Sequence, residues 1–212
     1  MIAVVTRTSR RPNYFERCYQ SVRSQNPSCR HYVLYDTEQS KDYLINRDIH
    51  VTFVDRRHYE ASYRDPPPKT AIPPLLSLHN LYFNEIYHSI AEDWVYHLDD
   101  DNYLAPNAFA RIVPYLHDPV DLVFVRIQHY TGLLPPDRQW ERKHLPVGFI
   151  DTGCFLARTS ILRKIRWDGW KCGDYRAIQQ CASLARKVLW FNTVVMHMEA
   201  QGLGKQQDRS FP

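Results

Sequence analysis

The sequence predicts an α/β domain with a Rossmann-like, mostly parallel central sheet and a smaller mixed sheet in its second half. Alternation is the first reason: short β-rich runs at 2–5, 31–36, 50–55 and 94–98 are separated by helical or polar segments. Strands that alternate with helices pair in parallel, because each crossover returns the chain to the same edge of the sheet. The second reason is where these runs stop. They end on Thr6-Arg7-Thr8, Asp36, Asp55 and Asp99-Asp100-Asp101, and in such sheets ligands sit at the carboxyl ends of the strands. The third is a change of pattern from residue 120 onward, where β-rich runs are joined by short helices and a proline-rich loop.

Each element follows from its residues. "IAVV" (2–5) is a short apolar run closed by polar residues, the mark of a buried strand. Phe15, Cys18, Tyr19 and Val22 recur at helical spacing within 14–25, and Pro12 stands near the start, where its missing N–H costs nothing. "HYVLYD" and "HVTFVD" are the second and third strands, and "DPPPK" (65–69) is a polar loop. Leu75, Leu78, Tyr82, Ile86 and Ile90 line one face of an expected long helix. "WVYHL" (94–98) is the fourth strand, and Pro106 opens a short helix. Strand-like "VDLVFVRIQHY" (120–130) precedes the loop "LLPPDRQWERKHLP" (133–146), a surface segment suited to a lid. "VGFIDTGCFLAR" (147–158) reads as a strand with a glycine turn. Ile161, Leu162 and Ile165 sit on a short helix. Asp174 stands before a helix with Tyr175, Ile178, Ala182 and Ala185 inward, and "KVLWFNTVVMHM" (187–198) is a last strand.

Composition narrows the function classes. The chain has 212 residues, 44% apolar and 13% aromatic, enough for one sizeable core. A net charge of +4 without a long basic block suits an anionic small ligand and argues against nucleic acid. Five cysteines, an odd number with no CxxC pair, predict neither a zinc framework nor disulfides, and point to a reducing compartment. The apolar run after Met1 is too short for a signal peptide or a transmembrane segment, so the expected location is cytoplasmic. The C-terminal residues leave open further domains of a longer chain. No GxGxxG or GxxxxGK[ST] occurs, so a dinucleotide fingerprint and a P-loop are absent.

The acidic triplet is the strongest chemical signal. Three adjacent carboxylates at a strand end raise one another's pKa unless a cation shares their charge. A hard divalent ion such as Mn²⁺ or Mg²⁺ takes oxygen ligands from one or two carboxylates and from substrate phosphates. The competing reading is a solvated acidic turn. "LDDDNYLAPNAF" (98–109) resembles the DxD motif of GT-A glycosyltransferases, and "DDDN" is similar to that of the inverting glucuronyltransferases. "VVTRTSRRPNYFERCYQSVRSQ" looks like the start of family 2-type enzymes. "DTGCFLAR" and "GDYRAIQQ" resemble their acceptor-side segment and the segment carrying the catalytic base.

The resemblance spans nearly the whole chain and implies a single GT-A domain over 1–212. Residues 1–102 would be its nucleotide-binding half and 103–212 its acceptor-binding half. It implies a metal-dependent, inverting hexosyl transfer from a UDP-sugar to a glycan or other hydroxyl acceptor, as in glycan biosynthesis. Asp99 then approaches the ribose of the donor and Asp101 binds the metal, with Asp100 between them, behind or beside the ion, and His197 completing the metal shell; a core histidine is the competing reading for His197. Asp36 reads the base edge, Thr6, Arg7 and Thr8 face the nucleotide, and Arg11 is a diphosphate contact. Asn80 matches a family Arg-Asn pair in which His79 replaces the arginine. Lys69 is placed to reach a phosphate; a solvated lysine is equally consistent. Asp174 is the favoured base and Asp151 its rival, favoured otherwise as an acceptor-hydroxyl ligand. An aspartate before a helix is also an ordinary N-cap. Trp140, Trp167 and Trp170 offer faces to a sugar or to the core, with the core favoured for Trp167. Two other classes stay open: a nucleotidyltransferase, against which the glycine-free "TRTSRRP" counts, and a non-catalytic carbohydrate-binding domain.

Overall fold

A computed structural model describes residues 1–71 and 73–198. β1 (Ile2–Thr8), β2 (Arg30–Tyr35), β3 (His50–Phe53) and β4 (Trp94–His97) form the parallel part of the sheet, in the order β3-β2-β1-β4. Every residue of β1 is buried, as a central strand covered on both faces must be. β5 (Asn102–Leu104), β6 (Val120–His129), β7 (Gly132–Leu134), β8 (Phe155–Arg158) and β9 (Lys187–Met198) continue it. The order beyond β4 is β8-β6-β9-β5, with β7 on the end of β6. β8 is antiparallel to β4 and β6, β9 is parallel to β6, and β5 is antiparallel to β9. The mixed part expected for the second half is thus continuous with the parallel part in one sheet.

α1 (Pro12–Arg23) buries Phe15, Cys18, Tyr19 and Val22, the apolar face the spacing predicts, and Pro12 sits in its first turn. α2 (Glu38–Asp42) and α3 (Arg56–Ser62) are short crossovers capped by Thr37 and Asp55. α4 (Ala108–Ile112), α5 (Asp137–Glu141), α6 (Thr159–Leu162) and α7 (Gly173–Leu184) belong to the second half. None of the described helices is long and apolar enough to cross a membrane. All five cysteines are free.

Three expectations need correction. The long helix over 75–90 is a 3₁₀ helix, Leu78–Glu85, and Leu75 is 55% exposed. Pro73 and Pro74 disfavour the α conformation before them. The chain around Leu75 is instead stitched to another loop: Lys171 N–H donates to Leu75 O (2.8 Å) and Ser77 N–H to Gly169 O (2.7 Å). Asn84 then bonds both backbone groups of Trp167, at 2.9 and 3.0 Å, so tertiary bonds and not helical period set this segment. The strand expected over 147–158 is only β8, preceded by a 3₁₀ turn, Thr152–Cys154, that Asp151 caps. Finally, 133–146 is not an open lid. β7 pairs with β6, Trp140 packs on Trp190, and the buried Arg126 donates to Pro135 O (2.9 Å) and pairs with Asp137 (2.6 Å).

Candidate active site

β4 runs parallel to β1, and Leu98 N–H donates to Val5 O (3.0 Å), so Asp99–Asp101 emerge beside Thr6–Thr8 at one sheet edge. Two arginines share the charge there. Arg7 donates from Nη2 and Nε to Asp99 Oδ1 (2.6 and 3.1 Å), and from Nη1 to Asn80 Oδ1 (3.1 Å). Its guanidinium lies 4.4 Å from the Phe83 ring centre. Arg11 Nη2 is 2.5 Å from Asp100 Oδ1, and its Nη1 donates to Asp101 Oδ2 (3.0 Å). Part of the relief of the repulsion is therefore built into the protein itself.

Burial opposes charge at all three acids, and the outcomes differ. At Asp99, burial is outweighed by Arg7, and the carboxyl lies below its ordinary value. At Asp100, burial prevails over Arg11 and pushes the carboxyl up to about 7. Burial and then Asp99 raise Asp101 against Arg11. Among the described residues, neither oxygen of the fully buried Asp100 has a well-formed hydrogen bond.

Beside this turn, a cleft of ≈ 680 Å³ opens at the ends of β1, β2 and β3. Asp36 lines it. Tyr82 OH donates to Asp36 Oδ2 (2.9 Å), while the buried Asp36 Oδ1 has no hydrogen-bond partner among the described residues. Arg10, Phe53 and Arg56 also line the cleft, and the sequence reading did not single them out. The carboxyl-end rule that found Asp36 extends to them, since they follow or close β1 and β3. The expected first-turn hydroxyls are not free: Thr6 Oγ1 is fully buried against His31 Nε2 (2.8 Å), and Thr8 Oγ1 pairs with Tyr43 OH (2.7 Å). Asn80 links Arg7 to Trp170, donating to its carbonyl (3.2 Å). Lys69 is exposed and makes no side-chain hydrogen bond or ion pair among the described residues.

Asp151 and Asp174 belong to the same electrostatic field. Asp151 Oδ1 accepts from Gly153 N–H (3.0 Å), and burial, with Asp174 and Asp99, pushes its carboxyl up to about 7. Burial raises Asp174 to about 6, against the Tyr175 N–H and Arg7. Asp174 is not an N-cap: Cys172 takes that position at φ 61°, and Asp174 lies in the first turn of α7, accepting from Tyr175 N–H (2.8 Å). Gly173, the first residue of α7, leaves room for Asn80; a Cβ there would lie 2.6 Å from Asn80 Nδ2. Trp167 is fully buried in the core, while Trp140 and Trp170 are half-buried.

The donor chemistry suits a hard cation, since the turn offers carboxylate oxygens and Asp100 shares its charge with Arg11 without a well-formed hydrogen bond among the described residues. Arg11 would have to give up part of its pairing. His197 lies on β9 opposite Tyr103, and the two rings stack 5.1 Å apart, two residues beyond Asp101 in the pairing. No group of three His, Cys, Asp or Glu among the described residues is set to hold an ion by itself.

The parallel sheet with its acidic turn and the mixed extension make this the α/β fold of GT-A-type glycosyltransferases. S. aureus TarS 1–349 in complex with UDP superposes with a TM-score of 0.64 at 12% identity, over 95% of this chain and 61% of that one. The mannosyltransferase PcManGT from Pyrobaculum calidifontis, in complex with GDP-Man and Mn²⁺, gives 0.62 at 14% identity, over 96% and 58%. M. tuberculosis glucosyl-3-phosphoglycerate synthase gives 0.60 at 15%, over 97% and 74%. The chain spans 60% of TarS 1–349 and 37% of the longer TarS structure. No family model matches the chain, and no curated protein matches it in sequence.

Proposed function

We propose that the protein transfers a sugar from a nucleotide diphosphate sugar, a UDP-sugar, to a hydroxyl acceptor with inversion at the anomeric carbon. One observation carries this reading. Asp100 and Asp101 are tied through Arg11 to the loop that lines a nucleotide-sized cleft, and Asp99 acts electrostatically on two carboxylates, Asp151 and Asp174, kept basic by burial. Solved structures of the same fold hold UDP, UDP-GlcNAc or GDP-Man, which supports a nucleotide-sugar donor.

In this reading Asp36 takes the base edge. Tyr82 donates to one of its oxygens, and the other is left to accept the imide N–H of uracil. Arg11 swings from the acidic turn toward the diphosphate, and Asp99, held by Arg7, faces the ribose. Asp101 and His197 are the residues that would hold Mn²⁺ or Mg²⁺, with Asp100 behind them. When bound, that cation offsets the charge growing on the departing diphosphate. Asp174 accepts the proton of the acceptor hydroxyl; the oxygen attacks the anomeric carbon as its bond to the diphosphate breaks on the opposite face. Asp151 orients the hydroxyl.

Calorimetry with UDP, with and without Mn²⁺, tests the donor site. The expected result is binding that strengthens with Mn²⁺ and loses that gain in Asp101→Ala, with the fold intact by circular dichroism. Unchanged Mn²⁺-assisted binding in the variant would remove Asp101 from the site. UDP binding by the wild type without turnover of any nucleotide sugar would favour a non-catalytic domain.

A further inference from the structure

A second cavity, of ≈ 430 Å³, lies between the turn after β6 and the segment leading to Asp151. His129, Thr131, Leu133, Asp137 and Phe149 are among its lining residues. Cys154 joins it to the site: Asp151 N–H donates to Cys154 Sγ (3.4 Å), and Cys154 S–H donates to Leu134 O (3.7 Å) in the cavity wall. Phe149 is two residues from Asp151 and 41% exposed, an uncovered aromatic face beside a polar rim. Asp137 is held from behind by the buried Arg126 guanidinium (2.6 Å), which leaves its outer face to solvent. His129 Nδ1 accepts from Thr131 N–H (3.2 Å), so the neutral ring carries its proton on Nε2 and has a donor to offer. Among the described residues, neither lysine nor arginine lines the cavity.

We propose that this cavity is an acceptor subsite for a neutral sugar unit. The C–H face of the sugar packs on Phe149, and its hydroxyls bond Asp137 and His129. A carboxylate, an imidazole donor and an open aromatic face suit a polyhydroxyl ring. The described lining carries no cation, which favours a neutral ring over a phosphate, a sulfated glycan or a uronic acid. The proposal rests on the transfer reading above and names the substrate class of its acceptor side.

The probe is an array of immobilised neutral and anionic oligosaccharides, read with the full chain in the presence of UDP and Mn²⁺. Retention on neutral glycans is expected. It should weaken roughly tenfold or more in Phe149→Ala, as for loss of a central aromatic anchor, and also in Asp137→Asn. UDP affinity and circular dichroism, measured on both variants, report on folding. Equal retention by both variants, no retention by the wild type, or retention confined to anionic glycans would each overturn the subsite. Glycan retention that depends on Phe149 without UDP binding would leave the subsite standing and overturn the donor reading; UDP binding without glycan retention would do the reverse.

Discussion

Arg7 is where stability and chemistry meet. It is nearly buried, it carries Asp99 and Asn80, and it lies over Phe83. Removing one partner of such a pair strands the other charge. Arg7→Met should destabilise the fold by about 3–5 kcal/mol, and urea denaturation would show it. Part of that loss should return in Arg7→Met/Asp99→Asn, because the stranded charge is gone. Asp174 sets a second test. As its carboxyl is pushed up to about 6 by burial, a base at this position gains activity as pH rises through about 6, not near 4. The pH profile of transfer should show that rise, and Asp174→Asn should abolish transfer while UDP still binds. Asp151 has a stability signature of the opposite slope. Its folded carboxyl titrates at about 7 against an ordinary 3.8. Between these values the folded state keeps a proton that the unfolded chain has released, so this group's contribution falls as pH rises. Asp151→Asn should flatten that part of the pH–stability curve.

Elements differ in how far their own residues determine them. α1 was legible because Phe15, Cys18, Tyr19 and Val22 share one face and Pro12 starts the helix. The strands β1, β2 and β4 were legible as apolar runs closed by polar residues. The segment 78–85 was not, since its apolar spacing is helical while Asn80 and Asn84 bond the 167–170 backbone. The start of α7 depends on the same contact. Gly173→Ala would push Asn80 off the Trp170 carbonyl and disturb its bond to Arg7, at a cost of about 1–3 kcal/mol. The melting temperature would report it, and UDP binding should weaken because Arg7 positions Asp99.

At the scale of the whole molecule, the core reaches from β1 across to β6 and β9 in a single cluster. Trp167 ties its lower layer together: its indole N–H donates to Tyr87 OH (2.7 Å), which in turn meets His97 (2.8 Å). Trp167→Ala should cost about 3–5 kcal/mol, measured by denaturant titration. The α/β class and the gathering of the candidate acids at the carboxyl ends of the strands were readable from residue order. Periodicity and strand ends are local properties, and parallel crossovers carry those ends to one edge. Residue order does not say which side chains meet across that edge. Only the folded structure decided that Arg7 and Arg11 pair with the acidic turn, that Thr6 and Thr8 spend their hydroxyls on internal partners, and that Asp151 and Asp174 share one field. Those outcomes depend on burial and on contacts between residues as many as 92 positions apart, and such energies exist only once the sheet has formed.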